Sequence, residues 1–205
     1  MGKNLSRCWN TDNPLYIRYH DEEWGVPVHD DRVLFEFLIL EGFQAGLTWE
    51  LVLKRREALR KAFEGFNPKK IIRYTDGDFT RLINNPDIIR NRAKISAVIN
   101  NARRYEEVRK EFGSFDAFVW QFANGKPIDH KLKSFSNLPS ESDESRAMSA
   151  ELKRRGFKFV GPTICYAFMQ AVGLVNDHLI HCFRYSEIQK MDLKTEQDAS
   201  GVRDS

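Results

Sequence analysis

Two Cys/His pairs at opposite ends of the chain constrain its folding more than any other feature: Cys8 and His20 near the start, His178 and Cys182 near the end. Two thiolates and two imidazoles are what a tetrahedral zinc site takes, and four protein ligands make such a site structural rather than catalytic. If the four meet, they staple the N-terminal arm to the C-terminal segment. His178 and Cys182 stand four apart, so one helical turn would aim both the same way. His181 competes for the third ligand place, and Cys165, among Ile164, Tyr166 and Phe168, reads as a core thiol. Three cysteines are too few, and odd in number, for a disulfide framework. A reducing compartment, the cytoplasm, is therefore expected.

The 205 residues, 41% hydrophobic and 12% aromatic, suffice for a folded protein with a real core. Residues 1–185 are expected to form a single domain of two intertwined helical lobes, and 186–205 a polar, disordered tail. No apolar run approaches the roughly 18 residues of a membrane span, and the first residues lack the apolar stretch of a secretory signal. A net charge of +3 permits a polyanionic partner without demanding one. The clusters Lys54-Arg55-Arg56, Arg90/Arg92/Lys94, Arg103-Arg104 and Lys153-Arg154-Arg155 with Lys158 read, taken singly, as solvated helix faces. Nothing signals an oligomer, so a monomer is expected.

Apolar spacing and capping residues predict an all-α protein with no internal repeat. Residues 8–30 read as an irregular, aromatic-rich arm interrupted by Pro14, Gly25 and Pro27. Asp30 or Asp31 starts a buried helix running to about Gly46, and Thr48 caps one from Trp49 to about Phe63. Short helices follow at Pro68 and over 76–84, then a long one over 91–112 and another after Ser114. Residues 124–142 read as loop. A helix over 144–155 leads through Gly156 to Gly161 into a last helix opened by Pro162 and ended by Gly173.

On the first long helix Leu34, Leu38, Glu41 and Ala45 share one face, so a carboxylate extends an apolar stripe where ionisation is costly unless something pairs with it. Such a residue is often no more than a salt-bridged glutamate at a helix end. Its company argues for more, because Trp9, Tyr16, Tyr19, Trp24 and Trp49 lie on flanking segments. Rings around one carboxylate suit a flat, cationic ligand. The turn from Gly156 to Gly161, before a helix N-terminus and with basic flanks, can hold a nucleic-acid phosphate, although short helix connections commonly look alike.

Five stretches carry a family resemblance: Arg7-Cys8; Pro14 to Pro27 (PLYIRYHDEEWGVP); Leu40 to Trp49 (LEGFQAGLTW); Ile88 to Arg92 (IIRNR); and Arg155 to His178 (RGFKFVGPTICYAFMQAVGLVNDH). Together they closely resemble the bacterial 3-methyladenine DNA glycosylase I family, over nearly the whole chain from Arg7 to Cys182. The resemblance implies a helix–hairpin–helix glycosylase fold with one structural zinc on Cys8, His20, His178 and Cys182. It implies a base pocket with Glu41 as the catalytic carboxylate, Tyr16, Tyr19 and Trp49 around an extruded base and Trp24 nearby; Trp9 is expected at the same pocket from the ring cluster alone. It implies a hairpin, Phe157, Lys158, Phe159, Val160 and Gly161, that grips double-stranded DNA containing alkylated bases. The chain departs from the pattern at Cys8-Trp9, where the family places a residue between the two, at Phe43 and at Pro162. Relatives that also cut the strand carry a lysine two residues past the last hairpin glycine. Thr163 stands there, which implies a glycosylase without lyase activity. Asp177 is expected in a supporting role beside the zinc ligand His178. Two other readings remain: a zinc-stapled module that binds damage without cleaving, and a hydrolase using the Cys165 thiol.

Overall fold

In the computed structural model, which describes residues 6–191, the chain is mostly helical. Its helices are α1 (Pro14–Glu22), α2 (Asp31–Gln44), α3 (Trp49–Ala62), α4 (Pro68–Ile71), α5 (Asp76–Ile83), α6 (Arg92–Phe112), α7 (Phe115–Trp120), α8 (Asp143–Arg154) and α9 (Pro162–Ala171). Each of α1 to α8 has a side-chain cap. Asp30 accepts from the amides of Arg32 and Val33, Thr75 and Asp78 form a capping box, and so do Ser142 and Ser145.

Three features differ from the sequence expectation. The N-terminal arm contains a helix, α1, because Asn13 caps it and Pro14 sits at its first position, where the missing N–H costs nothing. A small parallel pairing joins β1 (Ile128–Asp129) to β2 (Val175–Asn176), two residues each, too short for any alternation to show. The expected tail begins later than residue 186, because residues 183–191 are helical and Ile188 is buried. The rest of that tail, 192–205, lies outside the described residues.

α2 is buried on every side from Leu34 to Phe43 and forms the axis of the core, against which α3, α6, α7 and α9 pack. The arm docks on the end of α9 through the hydrogen bonds Gly25 N–H to Gln170 O and Val28 N–H to Val172 O. Gly173 makes that approach possible. It sits at φ +74°, and a Cβ there would lie 2.5 Å from the Val26 and Pro27 backbone. None of the helices among the described residues is long and apolar enough to cross a membrane.

Candidate base pocket and metal centre

Glu41 lies three residues from the end of α2, 3% exposed. Burial alone pushes its carboxyl up to about 8. It faces a cavity of about 600 Å³ whose wall also includes Trp9, Tyr16, Tyr19, Trp24 and Trp49. Trp9 reaches this wall although it follows Cys8 directly, and it stands edge-on to both Tyr16 and Trp24 at 5.6 and 4.8 Å. Tyr19 tilts against Trp49 at 5.3 Å. Burial, then the nearby Glu41, raises the phenols of Tyr16 and Tyr19, so both stay neutral donors.

Of the seven buried side-chain polar atoms without a protein partner among the described residues, three belong to this wall: Glu41 Oε2 and the indole nitrogens of Trp9 and Trp49. A sealed, unpaired polar group costs about 1–3 kcal/mol, so one acceptor and two donors on one cavity point to a ligand that supplies their partners.

Several wall residues were not singled out from the sequence. Gln44 and Thr48 flank the α2–α3 turn, Phe135 and Leu138 come from the loop before α8, and Ala167 and Gln170 form one face of α9. Gln44 and Thr48 border residues already recognised. The loop and α9 residues had no local signal, since only tertiary packing brings them to Glu41.

The end of α2 is held by Lys94, whose Nζ donates to the carbonyls of Phe43 and Ala45 at 2.8 and 2.6 Å. Lys94 is therefore a buried cap on the pocket helix and not part of a solvated basic face. Arg56 is likewise drawn inward, to Glu36 and Glu23.

Behind the aromatic wall, Cys8, His20, His178 and Cys182 are all buried, and their ligand atoms lie within 4.8 Å of one another. The Cys8 Sγ–His178 Nδ1, Cys182 Sγ–His20 Nε2 and Cys182 Sγ–His178 Nδ1 separations are 3.2, 3.5 and 3.6 Å. Bonds of about 2.3 Å to sulfur and 2.0 Å to nitrogen put tetrahedral S···N edges near 3.5 Å, so the donor set fits a metal ion. The outer ring nitrogens are also engaged, His20 Nδ1 by Asp21 at 2.7 Å and His178 Nε2 by the Trp24 carbonyl at 2.9 Å. Those partners leave each inner nitrogen with a lone pair toward the cluster. A non-helical turn, closed by Cys182 N–H to Leu179 O, brings His178 and Cys182 together in place of the expected helical turn. His181 is exposed and outside the group.

Asp177 turns away from the cluster and accepts from His130 Nδ1 (2.6 Å), Tyr166 Oη (2.8 Å) and Gln170 Nε2 (2.8 Å). Cys165 is fully buried, its thiol pushed up to about 12 by burial, which makes it unfit as a nucleophile.

The connection from α8 to α9 is a tight turn pinned to α6. Asn101 donates to the Lys158 carbonyl and accepts from the Lys158 amide, while Asn100 donates to the Gly156 carbonyl. Within it Phe157 and Val160 are buried, so they are anchors, and only Lys158 offers an exposed side chain. Among the described residues the amides of Phe159, Val160, Gly161, Thr163 and Ile164 have no protein partner, and they run into the start of α9. Phe159 also packs against α2 at Gly42, where a Cβ would come within 3.3 Å, so the turn and the Glu41 helix are in direct contact.

Known proteins resemble this chain in sequence and fold. DNA-3-methyladenine glycosylase 1 of Escherichia coli (strain K12) is 49% identical over 182 residues, 88% of this chain and 97% of its own. The Haemophilus influenzae DNA-3-methyladenine glycosylase is 47% identical over 178 residues, 86% of this chain and 96% of its own. A Staphylococcus aureus 3-methyladenine DNA glycosylase I, solved to explain its recognition of 3-methyladenine, superposes with a TM-score of 0.84 at 39% identity, covering 86% of this chain and 94% of that one. A sequence model of the methyladenine glycosylases matches residues 9–185. With that span matched and the same fold in its relatives, the chain belongs to the methyladenine glycosylase family.

Proposed function

We propose that this enzyme extrudes 3-methyladenine from alkylated double-stranded DNA and removes it by hydrolysis, as a monofunctional glycosylase of base excision repair. The observation that carries the reading is the unpaired Glu41 carboxylate in a ring-walled cavity. An adenine methylated at N3 is cationic while attached to the sugar. Electron-rich rings attract it, and the partnerless Oε2 accepts a hydrogen bond from it. Meeting a cation, the raised Glu41 carboxyl gives up its proton, and the carboxylate also favours positive charge developing on the sugar. The bond between C1′ and N9 breaks with its electron pair going to the base, which leaves neutral. Water adds to C1′ and releases a proton.

The free amides from Phe159 to Ile164 and the Lys158 side chain support a helix–hairpin–helix grip on the DNA backbone, with the N-terminus of α9 favouring phosphate. Thr163 offers no amine to attack the sugar, hence no lyase step. We take the metal to be one structural zinc, which ties residues 8 and 20 to 178 and 182 and fixes the wall carrying Trp9 and Trp24. The reading includes a single domain over 1–185, working as a monomer in the cytoplasm.

The test is to incubate the protein with methylated duplex DNA and chromatograph the released bases. Release of 3-methyladenine without strand cleavage supports the proposal. Binding without release would instead favour a damage-recognition module, and strand cleavage would overturn the monofunctional assignment.

A further inference from the structure

Gln170, on the α9 face of the cavity, is an amide whose orientation is set by its neighbours. Its Nε2 donates to Asp177 Oδ2 at 2.8 Å, and that carboxylate also accepts from Tyr166 and His130. A carboxylate only accepts, so the NH2 end of Gln170 must face Asp177 and the carbonyl end must face away. Among the described residues Gln170 Oε1 has no protein partner and is not one of the sealed polar atoms, so it is an accessible acceptor on a residue that lines the cavity. Gln44 and Asn10, the other amides on this wall, have no such lock among the described residues.

We infer that Gln170, oriented by Asp177, makes the cavity choose N3-methylated adenine over N3-methylated guanine. The inference rests on the glycosylase reading and sharpens it. Both lesions are flat and carry the same positive charge, so the aromatic wall and Glu41 attract both. They differ at position 6, where adenine presents an amine with two N–H donors and guanine a carbonyl. The Glu41 carboxylate answers the charge of either lesion, whereas Gln170 Oε1 is an acceptor that matches the amine. Against guanine, Gln170 Oε1 would face another acceptor, and an amide free to rotate would accommodate either. Asp177 removes that freedom, which makes it a positioning residue.

The experiment measures kcat/KM for release of 3-methyladenine and of 3-methylguanine from methylated duplex DNA, for the wild type and for Gln170→Met and Asp177→Asn. The wild type should favour the adenine lesion. Gln170→Met, which keeps length but loses the acceptor, should lower adenine-lesion release about tenfold while leaving guanine-lesion release unchanged or higher. Asp177→Asn, in which the amide can flip, should shift the ratio the same way. A loss of folded protein depresses both rates alike and leaves their ratio where it was, so the ratio separates selectivity from stability. Gln170→Ala serves if the methionine variant does not fold. As an independent arm, quenching of the pocket tryptophans in the wild type should report tighter binding of free 3-methyladenine than of free 3-methylguanine. An unchanged ratio in the variants, or equal binding of the two free bases, overturns the inference. Absence of any base release by the wild type would instead overturn the glycosylase reading.

Discussion

Glu41 combines burial, a missing partner and a carboxyl raised to about 8, and these make opposite demands with pH. Its ordinary value is 4.5, so between 4.5 and 8 the folded protein holds a proton that the unfolded chain has released. Stability therefore falls as pH rises through that window, by on the order of 5 kcal/mol from this group, and levels off above it. Binding of a cation needs the ionised form, so kcat/KM should rise with pH up to about 8. Glu41→Gln should fold, lose about a hundredfold or more in base release, and show no such rise. Its melting temperature should also drop less than that of the wild type between pH 6 and pH 9. A wild-type rate in the variant, by chromatography of released 3-methyladenine, would remove Glu41 from the chemistry.

At the scale of elements, two attachments position the site. Lys94 caps α2 beside the pocket, and Lys94→Met leaves the Phe43 and Ala45 carbonyls without it. We expect a loss of about 2 kcal/mol in urea unfolding, since hydrogen bonds to a charged donor are worth about 1.5–3 kcal/mol. Asn101 holds both the amide and the carbonyl of Lys158, so Asn101→Ala should loosen the α8–α9 turn while sparing the pocket. Fluorescence anisotropy should then show weaker duplex binding, with affinity for free 3-methyladenine unchanged. Equal losses of both would mean that the turn and the pocket are one unit.

For the whole molecule the decisive tie is the Cys8, His20, His178 and Cys182 group, which joins chain segments about 160 residues apart. Metal analysis should find one zinc per chain, and Cys182→Ser should lose it together with several degrees of melting temperature. Carefully purified protein without zinc would refute the staple. Because Trp9 and Trp24 lie against the two histidines, loss of metal should also alter the intrinsic tryptophan fluorescence.

Much of this was legible locally. The course of α2 to α9 followed from caps and from apolar spacing, which depend on neighbours within a turn. The ligand set followed from residue types that seldom occur together, and Glu41 stood out as a charge on an apolar stripe. Pro14 misled because a helix start and a helix break use the same residue, and only Asn13 capping decided between them. The sequence by itself thus determined the helices, the Cys and His residues that come together and the place of Glu41 on an apolar face, all readable from residue types and short-range spacing. Only the tertiary structure decided that Lys94 caps α2, that Asp177 bonds to Gln170, Tyr166 and His130, and which end of Gln170 faces Asp177, because those facts rest on hydrogen bonds between elements that no local pattern encodes.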